Sequence, residues 1–297
     1  MIKRILIIGG NGFLGFNLAK KLNKYNYEIV LLCKKENKFK ILKNIDYIYC
    51  NICNFKQLKK KLTGEFDYVV NFSGNKNHKH KQETYSTHFH GLKNIIKILK
   101  KKNVKIFLQS GSCFEYGNYK SPQKEKSICF PISNYGKVKY MASKFLINSK
   151  PNFKYIILRL YQVYGPYQKN DRLLPITINA CLKNKKFKCT EGLQKRDFLY
   201  VDDLNDLLMK IFKKKKIKSG IYNVGYGKQI SVKKVIKNIQ TIVKKGKPIF
   251  GAIKIRDDET MNLYPKILKV KRYFNWKPKT SLSKGLKETV KFYEKYK

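Results

Sequence analysis

Tyr135 and Lys139 stand four residues apart in the stretch SNYGKVKY, which continues as a helical pattern through Lys144 and Phe145. That spacing sets a phenol and an ammonium on one helix face. An ammonium beside a phenol favours the phenolate and draws a pKa of about 10 towards the working range, so that Tyr135 can pass a proton to or from a substrate hydroxyl. In a chain this rich in Lys and Tyr such a pair needs a partner. SGSCFEYG (Ser110–Gly117) offers one, because Ser112 closes a strand-like run where its hydroxyl can reach the same substrate oxygen. Ser112, Tyr135 and Lys139 are therefore the candidate catalytic residues.

These groups need a scaffold and a cofactor, and the start of the chain supplies signs of both. In ILIIGGNGFLG the apolar run Ile5–Ile8 stops at glycines placed at 9, 12 and 15, and a helical pattern follows in Phe13, Leu14, Leu18, Ala19 and Leu22. A short apolar run ended by glycine reads as a buried parallel strand. Strand, glycine turn and helix together turn backbone N–H groups and a positive helix end towards a diphosphate. Gly9, Gly12, Phe13, Leu14 and Gly15 thus form a candidate dinucleotide loop. Strand-like runs recur at Tyr27–Cys33, Asp46–Cys50, Phe66–Gly74, Val104–Ser112 and Lys154–Gly165, with helical patterns between them such as Leu92–Lys101. This alternation predicts an α/β fold with a doubly wound parallel sheet. Residues 1–165 are expected to form the cofactor domain and 166–297 a smaller mixed α/β substrate domain, with segments around 198–228 returning to the first. The ligand cleft is expected at the carboxyl edge of the sheet.

Composition limits the alternatives. The 297 residues carry a formal net charge of +47, yet only six of the 66 basic residues are Arg (4, 159, 172, 196, 256 and 272). Nucleic-acid surfaces exploit Arg and cluster their charge, whereas these lysines spread along the whole chain, so no nucleic-acid partner is expected. No apolar run approaches the roughly 18 residues needed to span a bilayer, and no cleavage site follows the first apolar segment. A cytoplasmic protein without membrane insertion is expected. Seven scattered cysteines suit free thiols. Cys50 and Cys53 form one CxxC without a second pair or a nearby His, and no metal is expected.

Glycine loop, serine at a strand end and Tyr-x-x-x-Lys, in that order, resemble the extended short-chain dehydrogenase/reductases, in their NDP-sugar epimerase/dehydratase/reductase branch. PISNYGKVK is similar to the family's P-x-S-x-Y-G-x-S-K signature, and LRLYQVYGPYQ, QKRDFLYVDDL, IYNVGYGKQIS and NWKPKTSLSKGLKET resemble its later landmarks. The resemblance implies a Rossmann domain followed by a sugar-nucleotide domain, with Ser112, Tyr135 and Lys139 as catalytic triad. It also implies that Arg196 and Arg256 bind the nucleotide diphosphate, that Glu259 takes ribose hydroxyls, and that Gln162 contacts the sugar nucleotide. A homodimer is expected, through a four-helix bundle that includes the helix bearing Tyr135.

Departures from the family pattern narrow the reaction. Cys33, followed by Lys34, stands where NAD-using relatives carry an acidic residue for the adenosine ribose, which favours NADP, with NAD as the alternative. Asn51 and Ile52 fall near the adenine, and Ser73 completes the cofactor set. Cys113 and Phe114 replace the acid–base pair that dehydratases place after the catalytic hydroxyl, so a dehydratase is not expected. The remaining candidates are a reductase acting on the C4 keto group of an NDP-4-keto-6-deoxyhexose and an NDP-hexose 4-epimerase with tightly bound NAD. The segments SGSCFEYG and RLLPITINACLKNKKFKCTEGLQKRDFLYVDDL look most like the NADPH-dependent reductases, which are preferred. A catalytically silent NADP-binding regulator is the remote alternative. His88 replaces an Asn of the N-x-x-G-T pattern, and Lys266 stands where an Asp is usual. His78 and His80 lie on a loop after a strand, where substrate could pass.

Overall fold

The computed structural model describes residues 2–37, 40–74, 81–256 and 259–295. His78 and His80 lie outside the described residues. Apolar alternation in the first half forms a regular series: β1 (Lys3–Ile8), α1 (Phe13–Leu22), β2 (Tyr27–Cys33), β3 (Asp46–Tyr49), α2 (Phe55–Lys61), β4 (Tyr68–Asn71), α3 (Lys81–Tyr85), a π-helical turn at Ser86–His90, α4 (Gly91–Leu99), β5 (Ile106–Ser112), α5 (Asn134–Asn148) and β6 (Lys154–Leu160). Lysines gather where helices end, as in the last turn of α2 at Lys59, Lys60 and Lys61, where cations suit the helix dipole.

The expected strand Lys154–Gly165 is divided. Val163 N–H bonds back to the Tyr161 carbonyl at 2.9 Å, a three-residue turn that ends β6 and starts a new short strand, β7 (Gln162–Tyr164). The chain continues through α6 (Leu173–Leu182), β8 (Lys186–Lys188), β9 (Lys195–Arg196), β10 (Phe198–Tyr200), α7 (Val201–Lys213) and β11 (Gly220–Val224). It ends with β12 (Ile230–Ser231), α8 (Val232–Val243), β13 (Lys247–Ile249), β14 (Asn262–Leu263), α9 (Leu268–Phe274) and α10 (Leu282–Lys295).

Seven strands form one sheet in the order β11-β6-β5-β4-β1-β2-β3. The registers of β1 with β2 and β4, β2 with β3, β4 with β5, and β5 with β6 are all parallel. A seven-stranded parallel sheet with alternating helices is the doubly wound Rossmann architecture. The chain divides into two compact units. One comprises Met1–Asn118, Ser127–Leu160 and Met209–Tyr222, and the other Tyr119–Lys126, Tyr161–Leu208 and Asn223–Lys297. The first unit is filled by Leu6, Ile8, Val30, Leu32, Val69, Phe107, Leu146 and Ile157 among others, and the second by Ile178, Phe198, Val235, Ile239, Leu286 and Val290. Among the described residues no helix is long and apolar enough to cross a membrane.

Candidate active site

At the end of β1 the chain turns through Gly9, whose φ of 81° is left-handed and whose missing side chain admits Ser73 N to 2.8 Å of where a Cβ would stand. A Cβ on Gly15 would strike the Gly9 carbonyl, so that glycine lets α1 close onto the loop. Gly12 caps α1 without a side chain, and no acidic residue sits in the first turn. The first i to i−4 bond of the helix is made by Phe16 N–H to Gly12 O, so the N–H groups of Phe13, Leu14 and Gly15 precede the ladder. These features together make a positive backbone cradle that fits a dinucleotide diphosphate.

Cys33 is buried at the end of β2. Burial raises its thiol pKa, against the lowering effect of N–H groups from Asn11 and Gly10 that bond the sulfur. The side chain therefore braces the glycine loop. Lys34, next in sequence, is exposed and lies 3.7 Å from Glu83. Lys34, Asn51, Cys53, Glu83, Ser86 and Thr87 line part of a pocket of about 470 Å³. Asn51 Oδ1 accepts Cys53 N–H at 3.1 Å, while Ile52 is buried and its carbonyl accepts Asn94 Nδ2–H at 2.9 Å.

The residues expected to transfer protons occupy β5, which ends at Ser112, and α5, which carries Tyr135 and Lys139. Ser133 caps α5 by accepting Gly136 N–H at 3.1 Å, and a Cβ on Gly136 would strike the Phe114 carbonyl. The P-x-S-x-Y-G string thus has a local logic: serine starts the helix, and glycine lets its first turn approach the turn that follows Ser112. The Tyr135 ring meets His88 at 5.4 Å and Phe114 at 6.1 Å between centroids, both edge to face. Lys139 Nζ lies 5.9 Å from that ring's centroid and donates to Ser110 O at 2.6 Å and Ser110 Oγ at 3.3 Å.

Two buried networks hold these groups. Ser112 N–H donates to Glu115 Oε1 at 2.8 Å while Ser112 Oγ accepts Phe114 N–H at 3.3 Å, and Glu115 Oε2 accepts Arg159 Nε–H at 2.9 Å. Glu115 is 0% and Arg159 2% exposed, and the guanidinium lies 4.4 Å from the centroid of the Tyr116 ring. Burial is the largest single influence and lowers the Arg159 pKa, but Glu115, Tyr116 and Cys129 together outweigh it and the net direction is upward. The second network runs across the sheet. Ser73 Oγ–H and N–H donate to Asn71 Oδ1, Asn71 Nδ2–H to Gln109 Oε1 at 2.9 Å, and Gln109 Nε2–H to Ser110 O at 3.2 Å, where Lys139 also arrives. Ser73, expected at the cofactor, and Lys139 thus share one polar line.

In the second unit Arg196 is buried, donates from Nη1 to Lys195 O at 2.8 Å, and bonds through Nη2 to Glu259 Oε1. Arg256 Nη2–H reaches Glu259 Oε2 at 2.9 Å. The three residues expected at the nucleotide therefore form one Arg–Glu–Arg cluster. Gln162 starts β7, and its N–H donates to Asp197 O at 3.0 Å. Asp197 accepts N–H bonds from Tyr226, Gly227 and Lys228 at 2.6, 2.6 and 3.0 Å, and burial still pushes its carboxyl up to about 6. Sequence reasoning missed Asn71, Gln109, Glu115, Arg159 and Asp197 as supports, and among them only Arg159 stood out, as one of six arginines. Among the described residues no group of three or more His, Cys, Asp or Glu side chains could hold a metal.

The sequence pattern of the NAD dependent epimerase/dehydratase family matches residues 5–225. The chain belongs to that family. It is 27% identical to CDP-abequose synthase of Salmonella muenchen over 98% of each chain. It is 30% identical to a putative UDP-glucose 4-epimerase of Methanocaldococcus jannaschii over 96% of this chain and 97% of the relative. Among solved structures, UDP-glucuronic acid 4-epimerase from Bacillus cereus, in complex with UDP-glucuronic acid and NAD, shares the fold with a TM-score of 0.88, at 22% identity over 99% of this chain and 100% of the other. The chain is a nucleotide-sugar enzyme of the extended short-chain dehydrogenase/reductase type.

Proposed function

We propose that the chain reduces the C4 keto group of an NDP-4-keto-6-deoxyhexose, with NADPH as reductant and Tyr135 as proton donor. The observation that carries the choice is the end of β2, where Cys33 turns its sulfur into the glycine loop and an exposed Lys34 follows, so that strand end presents no carboxylate to repel a 2′-phosphate. Glu83 pairs with Lys34, but both side chains are open to solvent and such pairs are weak enough for a phosphate to replace. The bound cofactor supplies hydride. Tyr135 gives its phenolic proton to the C4 oxygen as negative charge develops there, and Lys139, held by Ser110, stabilises the phenolate that remains. Ser112 Oγ accepts from Phe114 N–H, which leaves its hydroxyl proton to donate to the same substrate oxygen. Cys113 and Phe114, after Ser112, offer no acid–base pair for eliminating water.

The first unit is assigned to the cofactor and the second to the sugar nucleotide, with Arg196 and Arg256 on the diphosphate, Glu259 on ribose hydroxyls and Gln162 at the sugar. α5 is assigned to a homodimer interface, which light scattering of the purified protein would test. A second reading, an NDP-hexose 4-epimerase with resident NAD, is favoured by the 30% identical relative. The deciding experiment is NADPH oxidation with a panel of NDP-4-keto-6-deoxyhexoses, with Tyr135→Phe alongside. Stoichiometric NADPH loss that disappears in the variant is expected. Interconversion of an NDP-hexose pair without added cofactor, and no NADPH loss, would select the epimerase.

A further inference from the structure

His88 is buried in the π-helical turn between α3 and α4, 47 residues before Tyr135, and nothing in the proposed proton transfer uses it. Two observations give it a role. Its ring stands edge to face against Tyr135, at 5.4 Å and 80°, while Phe114 meets the same phenol ring at 6.1 Å and 80° from the turn after β5. The imidazole also occupies the space of an absent side chain. A Cβ on Gly74 would fall onto His88 Cε1, with Nε2 at 3.0 Å and Nδ1 at 3.2 Å. Gly74 does not have the left-handed φ that would itself demand glycine, and the three nearest atoms a methyl there would meet all belong to the imidazole.

We propose that His88 is a positioning residue, seated by Gly74, whose ring fixes the orientation of the Tyr135 phenol. The inference rests on the reading of Tyr135 as the acid–base group. Edge-to-face contacts from two different elements hold the ring against swinging about its Cα–Cβ bond, and so hold the Tyr135 oxygen in one place. Proton transfer tolerates little misplacement, so the seat at Gly74 controls rate through a residue that never touches substrate.

The test compares Gly74→Ala, His88→Asn and the double variant with Tyr135→Phe. Turnover is measured with NADPH and CDP-4-keto-6-deoxyglucose and, in parallel, with NAD and UDP-galactose. Protein labelled with ¹³C-tyrosine gives a readout independent of turnover, the Tyr135 resonance being assigned by its loss in Tyr135→Phe. Gly74→Ala is expected to move the Tyr135 resonance and to lower kcat roughly ten- to hundredfold with KM within about twofold, because the displaced imidazole shifts the phenol. In the double variant the alanine has nothing to strike, so kcat returns to that of His88→Asn. An unmoved Tyr135 resonance in Gly74→Ala, losses that multiply in the double variant, or an effect carried by KM would overturn the proposal. Full activity in Tyr135→Phe would instead remove the functional reading, while the resonance shift still reports whether His88 seats the ring.

Discussion

Lys139, in the first unit, is 3% exposed and its ammonium is fixed on Ser110, whereas Arg256, in the second, is 57% exposed and meets Glu259 at the surface. Around Ser112, Tyr135 and Lys139 the supporting groups are paired with one another and need no rearrangement before reaction. In the Arg196–Glu259–Arg256 cluster the groups proposed to hold substrate are paired with one another, two guanidiniums sharing one carboxylate. Catalytic chemistry gains from such prior arrangement, because charge develops faster than a protein reorganises. Binding can instead trade an internal ion pair for a ligand.

That contrast is open to attack by substitution. Lys139→Met should remove the charge beside the phenol and leave buried Ser110 without its donor, lowering kcat about 10²- to 10⁴-fold with little change in KM; an undiminished kcat would break the comparison at its strongest point. Glu115→Ala strands the Arg159 guanidinium in the core and should cost about 3–5 kcal/mol in urea unfolding. Arg256→Ala should stay within about 0.5 kcal/mol in the same assay, because its side chain is exposed and Glu259 keeps Arg196 as a partner. Arg196→Met should raise KM for the nucleotide sugar roughly ten- to hundredfold and spare kcat; a loss confined to kcat would assign Arg196 to chemistry instead.

A pH dependence is expected at Asp197. Burial raises the Asp197 carboxyl to about 6 from its ordinary value, so the folded chain favours its protonated form. Its contribution to stability is full below the unfolded pKa of about 4 and is lost as pH rises through about 6. The stability difference between the native chain and Asp197→Asn should therefore fall by on the order of 1–2 kcal/mol from pH 4.5 to 6.5 and then level off. A difference that grows over this range would mean that the three backbone N–H bonds outweigh burial.

The sheet, the glycine loop and the Tyr135–Lys139 pair were legible because each is a local pattern: period two, period 3.6, or glycine at a turn. Gly136 and Ser133 were visible only as part of a family signature, and their physical reasons, a close approach to the Phe114 carbonyl and a helix cap, needed coordinates. Glu115 and Arg159 were not legible as supports. They lie 44 residues apart, and charged residues in a chain dominated by lysine read as solvent-facing until both are seen buried. The same distance problem hides His88 against Tyr135 and Arg196 against Glu259. The division of the expected strand at Tyr161 was also hidden, since LRLYQVYG is apolar on both sides of the turn.

One feature of the sheet bears on how the protein is made. Strand β6 has β11 as its outer neighbour, and β11 is reached only after the chain has passed through Tyr161–Leu208 in the other unit. A nascent chain that has emerged only to Leu160 therefore carries every proposed proton-transfer residue but exposes the row of β6 N–H and C=O groups that β11 will later occupy. Its sequence, KYIILRL, is the kind of apolar strand that pairs with strangers. The first unit thus keeps an unpaired apolar edge until Val224 has been synthesised, and a fragment ending at β6 would keep that edge permanently.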